Sequence, residues 1–249
     1  MQIGFSTGSI ALGDFKKGIE ILRRKGIDCI ELSCLREMEL EHFISSIDNL
    51  DLSGFNYISF HAPSKLVQYT EKQIVDLLKV IFAKKWLIVV HPDIIKNYEL
   101  WQPFGSYLCI ENMDKRKRIG RTTIDLKYIF QQLPNASFCF DVAHARQVDL
   151  TMTEASLMIK NFGNRIKQIH LSDLNSQSKH EPLNLEAMMV YRNLLQNISK
   201  EIPVILETPV TEEKIYREVN RASFIFDLEI SETFLLQHQE VNNHFLHSA

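Results

Sequence analysis

The segment Phe138-Cys139-Phe140-Asp141-Val142-Ala143-His144-Ala145 decides how the rest of the chain is read. Three apolar residues run into an acid, and a histidine follows three positions later, so the segment predicts a buried strand that ends in polar groups. The same pattern recurs along the sequence. Tyr57 to Phe60 ends in His61, Leu87 to Val90 in His91, Leu108 to Ile110 in Glu111, Ile166 to Ile169 in His170, and Val204 to Leu206 in Glu207.

Working outward, apolar runs flanked by turn residues begin near residues 2, 28, 57, 87, 107, 137, 167 and 203. Most intervals are about thirty residues, the length of one strand-helix unit. Between the runs, apolar residues fall at three- and four-residue spacing, as in Phe15, Ile19, Ile21 and Leu22 or Ile74, Leu77, Leu78 and Ile81. Thr70 with Gln73 and Thr151 with Glu154 read as capping boxes, Thr211 opens a later helix, and Gly26 and Gly163 stand where helices should stop. Only about twenty residues separate Val89 from Ile110, so the fourth helix is predicted to be short or malformed.

Strands that are apolar on nearly every residue and alternate with helices imply a parallel sheet covered on both faces. Eight of them predict an α/β fold, a (β/α)8 TIM barrel forming a single domain over residues 1–249. An open doubly wound sheet is the alternative; it needs a switch point, and Ser6-Thr7-Gly8-Ser9 after the first strand is not a Gly-rich phosphate loop. Residues 211–249 are expected to form a helical C-terminal extension packed outside the barrel, where a homo-oligomer contact could form. His238, His244 and His247 in that tail read as solvated.

A chain of 249 residues, 45% apolar and 24% charged, has the composition of one large globular domain and not of a disordered or fibrous protein. A net charge of -3 exerts no general pull toward nucleic acid or membrane. The N-terminus reads as a first strand and not as a secretory signal, and the apolar runs are far shorter than the roughly 20 residues a membrane span needs. Cytoplasmic residence and no membrane partner are expected. Cys29, Cys34, Cys109 and Cys139 form no C-x-x-C and read as reduced structural thiols.

In such a barrel all strand C-termini open on one face, which brings His61, His91, Glu111, Asp141, His170 and Glu207 to one mouth, with His144 and His180 on adjoining loops. Taken singly, each would be a capping or packing residue. Three carboxylates and several imidazoles crowded together repel or stay poorly satisfied unless a divalent cation neutralises them, so a metal is expected.

The ordered set Tyr57-Ile-Ser-Phe-His61-Ala-Pro63, Val89-Val-His91-Pro92, Ile110-Glu111-Asn112, Phe140-Asp141-Val-Ala-His144-Ala145, Ile169-His170-Leu-Ser-Asp173 and Leu206-Glu207 resembles the xylose isomerase-like TIM barrel superfamily. That superfamily holds sugar isomerases and epimerases and also endonuclease IV, and the resemblance covers roughly residues 1–210. It implies that Glu111, Asp141, His170 and Glu207 hold one divalent ion, Mn, Mg, Co or Zn. It further implies that Glu111 and Glu207 move a proton next to a carbonyl, with His144 and Arg146 contacting substrate. Endonuclease IV adds His61, His91, His144 and a D-x-H pair to build three zinc sites. Here Ser178-Lys179-His180 keeps only the histidine of that pair, so a third zinc would lack its carboxylate and His144 and His180 are left to meet substrate or a weaker ion.

Asp114 precedes a basic run, Lys115-Arg116-Lys117-Arg118-Ile119-Gly120-Arg121, with five cations in seven residues. It lies on the loop after the fifth strand, and Thr122 or Thr123 can cap the next helix. The run is either a solvated face or a clamp for an anionic substrate, a sugar phosphate or a nucleic-acid backbone. No aromatics are interleaved in it. The sequence therefore ranks a metal-dependent isomerase or epimerase of a sugar or sugar phosphate first. It ranks an endonuclease IV-type phosphodiesterase acting on abasic DNA second, and a ligand-binding module third, against which the complete carboxylate set argues.

Overall fold

A computed structural model describes residues 1–228. Seven parallel strands follow one another around a ring: β1 (Ile3–Ser6), β2 (Cys29–Ser33), β3 (Tyr57–His61), β4 (Leu87–Val90), β5 (Leu108–Glu111), β6 (Ser137–Asp141) and β7 (Ile166–Leu171). A short antiparallel ladder of β8 (Asp173–Leu174) and β9 (His180–Glu181) interrupts the loop beyond β7. The eighth barrel strand, β10 (Val204–Leu206), then pairs with β7 on one side and β1 on the other, which closes the sheet and excludes the open alternative.

The covering helices are α1 (Thr7–Ile10), α2 (Phe15–Arg24), α3 (Glu37–Ser46), α4 (Glu71–Ala83), α5 (Tyr98–Trp101), α6 (Thr123–Gln132), α7 (Val142–Val148), α8 (Thr153–Phe162), α9 (Leu185–Leu195) and α10 (Ile215–Ile225). Helix α10 packs on α9 and β1 and so completes the helical ring as its eighth member. The rest of the expected C-terminal extension, with His238, His244 and His247, lies outside the described residues. No helix among the described residues is long and apolar enough to cross a membrane, and all four cysteines are buried and free.

Local signals act as expected at several ends. Thr70 and Gln73 form a capping box on α4, as do Thr122 and Asp125 on α6. Gly26, at φ 65, follows Lys25, the cap of α2, and Ile27 N–H bonds back to Leu22 O at 3.0 Å, the paired turn that a left-handed residue permits. One expectation needs correction. Helix α8 is not started by Thr151 and Glu154: Met152 takes a left-handed conformation, and Asp149 accepts the N–H of Thr151 and Glu154 at 2.9 Å each. The Glu154 carboxylate is thereby free to cap the start of α6 at Thr123 N–H. Gly163 does end α8, whose last residue is Phe162, but not through a left-handed turn: it stays right-handed at φ -54 and opens a 3-10 turn.

The fourth unit is indeed irregular, since α5 is one turn long. Its backbone is held from outside. Glu71, at the start of α4, accepts from Lys96 N at 2.8 Å, Asn97 N at 3.1 Å and the fully buried Trp101 Nε1 at 2.7 Å.

Candidate metal centre

Each expected ligand sits within one residue of the end of its strand, so parallel pairing alone carries them to the same rim. Two groups form. His61 Nε2 and His91 Nε2 each lie 3.2 Å from Glu111 Oε2, with the two rings edge-on at 5.1 Å. On the other side of Glu111, His170 Nδ1 lies 3.3 Å from its Oε1 and 3.5 Å from Glu207 Oε1, and Asp141 completes a set whose ligand atoms all fall within 4.8 Å of one another. Glu111 belongs to both groups.

Second contacts set which atoms face the centre. His61 Nδ1 stands 2.7 Å from the Ala62 carbonyl, which can only accept, so Nδ1 keeps a hydrogen and Nε2 is the atom that can offer a lone pair to an ion that displaces its proton. Asp141 spends Oδ1 on capping α7, through His144 N–H at 2.6 Å, while its buried Oδ2 accepts no hydrogen bond. The Asn112 side chain donates to Asp141 O and accepts from Asp141 N, both at 2.8 Å, and so fastens the end of β5 to that of β6. A buried carboxylate oxygen that accepts no hydrogen bond and has only the His144 ring at 3.4 Å beside it, set amid further carboxylates and imidazoles, is the donor set a divalent ion requires, and the residues fit one.

The electrostatics agree. Burial pushes the Glu207 carboxyl up to about 8. Burial opposes charge on Glu111 as well, but the neighbouring His170 and His91 prevail and hold it well below the carboxylate range. Burial would lower His61 and His144, yet the surrounding carboxylates lift them to about 9 and about 10. His180 goes the other way, to about 3, through burial and the nearby His144. The carboxylates thus draw protons onto imidazoles, a demand for positive charge that a cation would meet.

A cavity of about 380 Å³ opens above this layer, lined by His61, His91, Glu111, His144, His180 and Glu207, with Arg116 and Lys117 among its walls. His144 Nδ1 donates to Asn112 O at 2.9 Å and its Nε2 lies 3.8 Å from Asp114 Oδ2; His180 contacts Ser172 Oγ at 2.8 Å and Glu207 at 3.7 Å. Arg146 is not brought to this cavity. It pairs with Asp173 at 3.1 Å and Glu186 at 2.6 Å in a neighbouring depression.

The basic run is split by its own contacts. Arg116 forks onto Asp114 and Lys117 pairs with Asp93 at 2.6 Å, both at the cavity, whereas Lys115 bonds the Ser176 carbonyl at 2.9 Å. Arg118 is exposed and neither it nor Arg121 lines the cavity. Gly120 turns the run back at φ 85, where a side chain would stand 2.5 Å from Pro92. Ser178, at φ 58, gives its hydroxyl to Gln147 at 2.6 Å.

Sequence reasoning missed Glu31 and Gln168, which lie fully buried inside the barrel beneath His170. Glu31 stands mid-strand and not at a strand end, so the pattern that found the others passes over it. The signal was an acid at the centre of a strand that is otherwise apolar or small, Cys29-Ile-Glu-Leu-Ser33.

Comparison with known proteins places these residues in context. Residues 93–223 match the family described as xylose isomerase-like TIM barrel. A probable endonuclease 4 of Mycoplasma genitalium is 26% identical over 238 residues, covering 82% of this chain and 77% of that protein. Among solved structures, endonuclease IV from Thermus thermophilus superposes with a TM-score of 0.61 at 17% identity, covering 90% of this chain and 99% of the other. A putative sugar phosphate isomerase/epimerase from Anabaena variabilis reaches 0.53 at 13% identity over 84% of each chain. At such identities the two structures share the fold.

Proposed function

The chain belongs to the xylose isomerase-like TIM barrel family, and on that footing we propose that it is a divalent-metal-dependent phosphodiesterase that cleaves a nucleic-acid backbone. One observation carries the choice: His61 and His91 converge on the same oxygen of Glu111 whose other oxygen faces His170. Proton transfer beside a carbonyl needs the Glu111, Asp141, His170, Glu207 group alone. A second group joined to it through one carboxylate suits in-line displacement at phosphorus, where attacking and leaving oxygens both need charge stabilisation. The likeness to a probable endonuclease 4 supports the same order, which reverses the ranking made from the residues alone.

Bound divalent ions would supply Lewis acidity and a more acidic water; the chain supplies the rest. Glu111 would bridge the two groups, and Asp141, His170 and Glu207 would hold one side while His61 and His91 hold the other. Zinc suits the imidazole-rich half. Arg116 and Lys117 can turn toward a phosphate, giving up partners on the protein. His144 and His180 face the cavity where a scissile group would lie. Ser178 stands where the resemblance puts the acid of a D-x-H pair and is turned onto Gln147, while Asp114, 3.8 Å from His144 Nε2, is already held by Arg116, and Glu207, 3.7 Å from His180, belongs to the four-residue group; two ions per chain are therefore expected and not three.

The isomerase reading keeps one supporting observation, the opposed pair of Glu207 held up to about 8 and Glu111 held low. The test is strand scission of a duplex carrying one abasic site, with metal content measured on the same sample. Cleavage that disappears with a chelator and returns with zinc or manganese is the expected result. Intact DNA alongside turnover of a sugar phosphate would reinstate the isomerase.

A further inference from the structure

We infer that Glu31 is a positioning residue for the metal centre: it accepts the Nε2 hydrogen of His170 and so turns the Nδ1 lone pair of that ring toward Glu111, Asp141 and Glu207. The inference rests on the metal-centre reading above and on no particular reaction.

Glu31 is buried at mid-strand in β2, and one of its oxygens, Oε1, has no partner. Its other oxygen, Oε2, lies 2.6 Å from Gln168 Nε2 and 3.0 Å from His170 Nε2, while Gln168 Nε2 and His170 Nε2 are themselves 2.8 Å apart. Three polar atoms in a triangle admit two hydrogen placements. In one, both nitrogens donate to the carboxylate. In the other, Gln168 donates to His170 Nε2, which puts the ring hydrogen on Nδ1 and sets the lone pairs of Oε2 and Nε2 against each other.

The Gln168 amide is not free to choose its direction. The Glu31 carboxylate oxygen at 2.6 Å can only accept, so the NH2 group faces the triangle, where it cannot accept a hydrogen, and the amide Oε1 is left to accept the Tyr57 hydroxyl at 2.7 Å. Glu31 is therefore the one acceptor available to His170 Nε2–H in that triangle. A histidine that ligates through Nδ1 must carry its hydrogen on Nε2, and a carboxylate at that atom fixes the tautomer, orients the ring and raises its basicity. Glu31 belongs to neither ligand group, so it reaches an ion only through His170.

Deleting the acceptor hands the choice to Gln168. Glu31→Met should leave Gln168 donating to His170 Nε2, move the ring hydrogen to Nδ1, and lower zinc affinity at the four-residue group by about 10- to 100-fold in chelator competition. The nitrogen-15 shifts of His170 in metal-free protein, read at a pH high enough to leave the ring neutral, should show the same exchange of protonated atom. Swapping the pair, Glu31→Gln with Gln168→Glu, puts a carboxylate back within reach of Nε2 and should recover both affinity and tautomer. Should Glu31→Met fail to fold, the swap decides by itself: recovery of wild-type zinc affinity supports the inference, and weak binding with hydrogen on Nδ1 overturns it. Wild-type zinc affinity in a folded Glu31→Met with Nε2 still protonated also overturns it. A wild-type chain that takes up no zinc would instead overturn the metal-centre reading beneath it.

Discussion

The two ligand groups share Glu111 and differ in nearly everything else. Around β3 and β4, two imidazoles meet one carboxylate oxygen, and His91 retains slight exposure. Around β6, β7 and β10, three carboxylates surround one imidazole, and Asp141 and His170 are fully buried. An ion is therefore drawn to the second group by charge and to the first by donor softness, and the second should fill first. On the proposed two-ion reading the barrel would offer one tight and one weaker position, joined through the common carboxylate.

Glu111→Gln should break both sides at once. Neutralising the bridge is expected to reduce metal content toward zero and DNA cleavage by more than the 10- to 100-fold that loss of an outer partner typically costs, read by metal analysis and turnover on one preparation. Retention of two ions would dissolve the comparison.

Asp141→Asn separates the groups. Asparagine still caps α7, so the fold should hold, while the charge-rich side loses one of its three carboxylates. His91→Ala is the counterpart, and it should leave one ion per chain, bound as tightly as the tighter ion of the wild type. If the two variants lose the same ion, the sites are not distinct.

A pH series sharpens the electrostatic half. Metal-free protein binds protons on folding at Glu207, from 4.5 to about 8, at His61, from 6.5 to about 9, and at His144, from 6.5 to about 10. Folded-state values raised in this way stabilise at low pH, and the stabilisation is lost as pH climbs through about 8 to 10. His180, lowered to about 3, acts oppositely below 6.5. The midpoint of thermal unfolding without metal should therefore fall between pH 6.5 and 9.5, while added zinc, which displaces those protons, should raise it by an amount that grows with pH. A gap between zinc-loaded and metal-free protein that stays constant with pH would contradict this charge balance.

The smallest effect is expected in the basic loop. Lys117→Met removes a cation already paired with Asp93, so cleavage rate should change little, and the salt dependence of DNA binding should lose about one unit of slope. An unchanged slope would assign Lys117 to the fold alone.

Much of this site was legible because a parallel barrel gives every strand the same direction. A polar residue at the end of Phe138-Cys139-Phe140 and one at the end of Val204-Ile205-Leu206 need no tertiary information to be placed on one rim. What escaped depended on neighbours far away in sequence. Glu31 meets His170 across 139 residues, and its local signal, an acid in the middle of an otherwise apolar or small strand, does not tell which residue it faces. Arg146 follows His144 by two positions and looked equally placed, but helical geometry turns i and i+2 to different faces, and Asp173 holds it aside. The start of α8 was misplaced because Asp149 outcompetes the Thr151 and Glu154 pair, a contest between adjacent caps that sequence spacing does not rank.

The one-turn α5 has a consequence for how this ring comes apart. A barrel has no free edge to fray, so its first opening must occur at the spoke with the least structure of its own. That spoke spans residues 91–107, where Glu71 accepts two backbone N–H groups and the Trp101 ring N–H, and where His91 projects into the centre. Ion occupancy would pin that spoke from inside while Glu71 pins it from outside. Amides of residues 95–101 should then be the earliest in the barrel to exchange with deuterium in metal-free protein, and the most slowed when zinc is added, so that catalytic readiness and mechanical closure of the ring become one event.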